Sequence, residues 1–163
     1  MLHVSIRAAF INDRVMLRPG ELVDGYRRGW LRDADVVALA LAASSAGAAL
    51  PPAAEELALL LATDLERVGD LVEQLAGQLP GEPDPGAVWT FLALAWLYEH
   101  RDRYTEPLAV LELLYDDLDH PPEMDPFIRF MPGKPVGDAG LLRRWAEHCA
   151  AEGERYRHRD GRQ

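Results

Sequence analysis

The side chains best suited to chemistry lie together between Tyr115 and Asp125. Tyr115-Asp116-Asp117-Leu118-Asp119-His120 is followed closely by Glu123 and Asp125. Carboxylate oxygens with one imidazole could hold a divalent cation, with Asp116, Asp119 and His120 as the candidates, but the cluster lacks a recognisable ligand spacing and no tight metal site is expected. The spacing is not that of a calcium loop, which needs a glycine at its sharp turn and a glutamate at its end. The other chemistry open to this segment is recognition. Three aspartates at a helix C-terminus oppose the macrodipole, at roughly some tenths of a kcal/mol each, so an arginine, a metal or a partner should compensate. Arg129 lies in the loop that leaves the cluster, and its planar fork suits carboxylates. The expectation is that Arg129 pairs with Asp116, Asp117 or Asp119. Beside it, Phe130 and Met131 place apolar groups outside any helix, as a loop folded on the core or as an exposed patch. The candidate partner-binding set is therefore Asp116, Asp117, Asp119, His120, Glu123, Asp125, Arg129, Phe130 and Met131.

Other chemistries lack their residues. The three serines, Ser5, Ser44 and Ser45, sit in no nucleophile elbow. The single lysine, Lys134, lies in a Pro-Gly-Lys-Pro loop that is no phosphate-binding loop. There is no His-Glu-x-x-His and no glycine-rich dinucleotide fingerprint. Cys149 and His148 are neighbours on a helix and point apart, so they form no dyad. These absences point away from an enzyme and imply no cofactor.

Charge gives the class of partner. Between Pro51 and Ile128 lie seventeen acids and three arginines, a balance of −14, in a chain of net charge −10. Such a surface repels phosphate backbones and anionic membranes and attracts basic proteins. Neither nucleic acid nor membrane is expected as a partner. The longest apolar run, Ala87 to Tyr98, is about half a membrane span. The N-terminus shows no apolar stretch of signal-peptide kind. With one cysteine, Cys149, no internal disulfide can form, which suits a reducing compartment. The location expected is cytoplasmic.

The elements that must position these residues are helical. At 163 residues the chain suits one domain of ordinary size. Pro19 opens a helix over about 19–29, stopped by Gly29, and Asp33 can cap another over about 34–46, stopped by Gly47. Pro51 and Pro52 open a third. Thr63-Asp64-Leu65-Glu66 has the form of a capping box before a fourth, whose stripe is Leu65, Val68, Leu71, Val72 and Leu75. The fifth, about 86–101, is apolar nearly all round and should be central, with Trp96 buried in it. Pro107 opens the sixth, with Leu108, Leu111, Leu114, Tyr115 and Leu118 inward. Residues 120–137 read as a long irregular segment. A seventh helix, about 138–157, should bury Leu141, Leu142, Trp145 and Cys149. The class is all-α: a compact bundle of about six or seven helices in a single domain, 1–163. His3 to Ile6 has room for one short N-terminal strand, and residues 155–163 should fray.

From Trp89 to Pro132 the chain carries four ordered blocks: W-L-Y-E-x-R at Trp96–Arg101, Y-x-x-P-L at Tyr104–Leu108, Y-x-D-x-D-x-P at Tyr115–Pro121 and P-F-x-R-[YF]-M-P at Pro126–Pro132. In these blocks it resembles an uncharacterised bacterial family of small proteins, a domain of unknown function. Val15–Leu31 resembles that family's N-terminal part more weakly. The resemblance implies a family and no activity. Two functions from different classes follow. The first is a non-enzymatic, acidic protein-interaction module, for instance an immunity-type inhibitor of a basic toxin. The alternative is a metal-dependent enzyme or small-ligand binder that uses the Asp116–His120 cluster.

Overall fold

Proline and glycine set several of the helix ends. The computed structural model describes residues 2–81, 83–130 and 137–161, and all regular structure among them is helical. The α-helices are α1 (Ala8–Asn12), α2 (Pro19–Arg27), α3 (Asp33–Ser45), α4 (Pro52–Leu59), α5 (Val68–Gln78), α6 (Ala87–Glu99), α7 (Pro107–Asp117) and α8 (Gly137–Arg159). Short 3-10 turns cover Ala62–Arg67, Arg101–Arg103 and Pro122–Phe127. α2, α4 and α7 each start on a proline whose missing N–H would have had no helical partner. Gly29 and Gly47, at φ of +84° and +85°, take the left-handed turn that ends α2 and α3.

The chain divides into two compact units, the first spanning residues 4–89. In it α3 packs on α4, α4 on α5, α5 on α2 and α1 on α3. α5 buries Val68, Leu71, Val72 and Leu75. At the unit's end Trp89 is fully buried, and its indole N–H donates to the Glu21 carbonyl at 2.8 Å. The ring lies so close to Gly25 that a Cβ there would fall inside the indole. The N-terminus of α1 is held from a distance: the buried Asp35 carboxylate, on α3, accepts the Ala8 N–H at 3.0 Å, with the Arg7 Nε at 3.4 Å.

The second unit comprises Leu2 and His3 with residues 90–161 among those described. Phe91, Leu92, Leu94 and Leu97 of α6, Leu108, Leu111 and Leu114 of α7, and Leu141, Trp145 and Tyr156 of α8 are buried. Trp145 donates its indole N–H to the Leu94 carbonyl at 3.2 Å and meets the Tyr98 ring edge-on. The 3-10 turn at Pro122–Phe127 packs on α8, where Arg144 donates to the Pro126 carbonyl at 2.9 Å. It buries Met124 and Phe127.

Several expectations need correction. No strand forms among the described residues. The Ile6 N–H meets the Trp30 carbonyl at 2.9 Å, and one such bond makes no ladder. α1 was not foreseen. Thr63–Glu66 lies within a 3-10 turn that has no side-chain cap at its start, and α5 begins beyond it at Val68. Trp96 is only half-buried: its ring stacks on His100, one turn on, with centroids 4.1 Å apart. Leu142 and Cys149 are likewise half-buried. Residues 155–159 do not fray but continue α8, and Tyr156 is buried against Phe91 with ring centroids 5.1 Å apart. Lys134 lies outside the described residues.

Two measurements check this packing. Gly25→Ala should lower the free energy of unfolding by about 3 kcal/mol, at the upper end of overpacking costs. In a Trp89→Leu background the same substitution should cost clearly less, as denaturant titration of the double-mutant cycle will read. Trp145→Ala should cost about 3–5 kcal/mol, as loss of a core aromatic does, and Trp96→Ala less than half of that.

Candidate functional site

α7 is amphipathic in a way that exposes its acids. Leu108, Leu111 and Leu114 face the core, which leaves Leu113, Asp116 and Asp117 exposed and Glu112 half-buried. The helix ends where the chain turns left-handed at two successive non-glycine residues, Asp119 (φ +60°) and His120 (φ +56°). The His120 N–H donates back to the Tyr115 carbonyl at 2.9 Å, as a helix-ending reversal requires. Glycine would adopt this backbone without strain. Aspartate and histidine hold it at a cost of about 1 kcal/mol each.

The reversal brings part of the cluster together. His120 Nε2 lies 2.8 Å from Asp116 Oδ1, and the His120 ring tilts over Tyr115 with centroids 4.6 Å apart. The Tyr115 hydroxyl donates to Asp125 Oδ1 at 2.9 Å. That hydrogen bond, then burial, then the negative charges of Asp125 and Asp116 push the Tyr115 hydroxyl above its ordinary range, so it stays a proton donor. Asp117 Oδ2 accepts the Leu2 backbone N–H at 2.7 Å. Asp119 and Glu123 are exposed.

Arg129 does not pair with Asp116, Asp117 or Asp119. Its fork closes on Glu112, with Nε to Oε1 at 2.7 Å and Nη2 to Oε2 at 3.2 Å. The reason is geometric. After the reversal, the 3-10 turn at Pro122–Phe127 carries the chain back past the last turn of α7, and Arg129 arrives at the acid one turn before Asp116. Both partners are about a quarter exposed. The hydrogen bond to Glu112 raises the Arg129 pKa further, supported by the charges of Glu112, Glu106 and Asp138 against the lowering effect of burial. Glu112 is the residue that reading the sequence missed. Its signal was its place four residues before Asp116, on the same helical face. Phe130 is 79% exposed, with the Arg129 guanidinium 5.4 Å from its ring centroid. Met131 lies outside the described residues.

Among the described residues, no basic side chain except His120 pairs with Asp116, Asp117 or Asp119. No three histidine, cysteine, aspartate or glutamate side chains among them converge as metal ligands would. Asp116 and His120 meet each other without a third donor of that kind. Nor is any helix among the described residues long and apolar enough to cross a membrane. What this helix end offers is a set of exposed carboxylates, one imidazole and an exposed phenyl ring.

The chain belongs to a family described as an uncharacterized protein conserved in bacteria (DUF2247), whose model matches residues 8–153. No curated protein and no solved structure matches it.

The bridge itself can be measured. A double-mutant cycle on Arg129→Ala and Glu112→Ala should give a coupling of about 1 kcal/mol, at the top of the range for exposed pairs because the contact is bidentate and partly shielded. The cycle with Asp116→Asn should give coupling within about 0.3 kcal/mol of zero.

Proposed function

We propose that this member of the family is a non-enzymatic, acidic interaction module that binds a basic protein, with the C-terminal end of α7 as its contact. One observation carries the reading: Arg129 is spent on Glu112. The carboxylates of Asp116, Asp117 and Asp119 are thereby left to one histidine and one backbone N–H among the described residues. They also stand at the wrong end of a helix dipole, and a partner's lysines and arginines would relieve both penalties on binding. The balance of −14 over residues 51–128 favours such a partner over nucleic acid or an anionic membrane. Phe130, next to the Arg129 guanidinium that Glu112 holds, supplies an exposed apolar ring of the kind that anchors interfaces. An immunity-type inhibitor that neutralises a basic toxin in the cytoplasm fits this chemistry.

The test compares wild type with the Asp116→Asn/Asp117→Asn/Asp119→Asn variant as baits in lysate of the native host. Wild type should retain a protein with a pI above about 9, released by raising salt to about 0.5 M, where surface charges are largely screened. The variant should retain little of it. Recovery of the same proteins by both baits would end the reading.

A further inference from the structure

We propose that Leu59 and Leu61, at the end of α4, are the docking face for a basic amphipathic helix of a partner protein. The proposal rests on the reading above for the sign of the partner's charge, and adds an apolar contact in the first unit. Leu59 is 78% exposed and Leu61 67%, the most exposed large apolar side chains among that unit's described residues. They form a pair for a backbone reason. α4 stops at Leu59, and Leu60 (φ −66°, ψ 138°) and Leu61 (φ −87°, ψ 162°) are extended. Leu59 and Leu61 both face solvent, while Leu60 between them is half-buried. Two leucines held side by side in water form an apolar spot that gains from being covered.

Charge decides what covers it. Glu55 lies one helical turn before Leu59 on the same face, and both Glu55 and Glu56 are exposed. Beyond Leu61 come Asp64 and Glu66. Arg67 reaches back to Glu56 at 3.3 Å, which ties the 3-10 turn to α4. No ion pair among the described residues takes up Glu55, Asp64 or Glu66, the other acids near the leucines in sequence. Residues 51–70 hold five acids and one arginine, a balance of −4. That excess repels an anionic lipid surface or a nucleic acid, and a second copy would bring the same excess against itself. A helix with a leucine stripe between lysines fits both features: the stripe covers Leu59 and Leu61, and the lysines reach Glu55, Asp64 and Glu66.

The test uses a fluorescent 18-residue leucine–lysine peptide with leucines at helical spacing, and an 18-residue oligolysine as control. Wild type should bind the amphipathic peptide at least tenfold more tightly than Leu59→Ser/Leu61→Ser does. Oligolysine should bind the two proteins alike. Glu55→Gln/Glu66→Gln should weaken the amphipathic peptide several-fold. Equal binding of that peptide by wild type and the leucine variant would overturn the proposal. So would leucine-dependent binding to phosphatidylglycerol vesicles, or a leucine-dependent dimer in sedimentation. The Asp116→Asn/Asp117→Asn/Asp119→Asn variant separates the two ideas. If it alone loses both peptides, the acidic-module reading stands and the leucine face falls. If it and the glutamate variant bind both peptides as wild type does, regardless of salt, the acidic-module reading falls.

Discussion

The grip of Arg129 on Glu112 is the contact on which the acidic end of this protein depends. Residues 104–128 contain no arginine or lysine, so Arg129 is the first cation the chain offers after that stretch. The bidentate bond engages the Nε and Nη2 edge of the guanidinium with Glu112, and among the described residues no contact carries Arg129 to Asp116, Asp117 or Asp119. The consequence is a division of labour along one helix face. Glu112 is paired and holds the returning chain, while Asp116, one turn later, is exposed to solvent beside His120. Packing and electrostatics thus separate two acids that look equivalent in sequence.

The helix end itself is costly in two independent ways. Its backbone turns left-handed on aspartate and histidine, where glycine would be relaxed, and its charges oppose the dipole of the helix they terminate. A protein selected for stability alone would do neither. Strain and like charge gathered at one exposed spot are the features behind the proposed binding surface, where a partner would supply the compensation. The Tyr115–Asp125 and Asp117–Leu2 hydrogen bonds tie this helix end to the following 3-10 turn and to the second residue of the chain.

Much of the fold was legible because local chemistry decides helix ends. Pro19, Pro52 and Pro107 start helices, and Gly29 and Gly47 end them, through constraints that act within a few residues. What was illegible depends on residues far apart in the chain. α1 is five residues long and takes its cap from Asp35, so no local pattern announces it. The facing of Trp96 could not be read from α6, because a helix apolar all round carries no face in its sequence. Thr63–Glu66 has the letters of a capping box, yet the helix it should start begins at Val68. The acidic cluster was visible as composition. Its internal pairing was not, because the reversal at Asp119 and His120 fixes where Arg129 lands.

The most direct measurement is the folding stability of Asp116→Asn/Asp117→Asn/Asp119→Asn, by denaturant titration at low salt. Asparagine keeps an acceptor for the Leu2 N–H and for His120 while it removes charge. If the acids are held free for a partner, removing their charge should stabilise the isolated protein, by roughly 0.5–1.5 kcal/mol from relief of the dipole and mutual repulsion. A loss of more than about 1 kcal/mol would show instead that these carboxylates are internally paired and serve the fold.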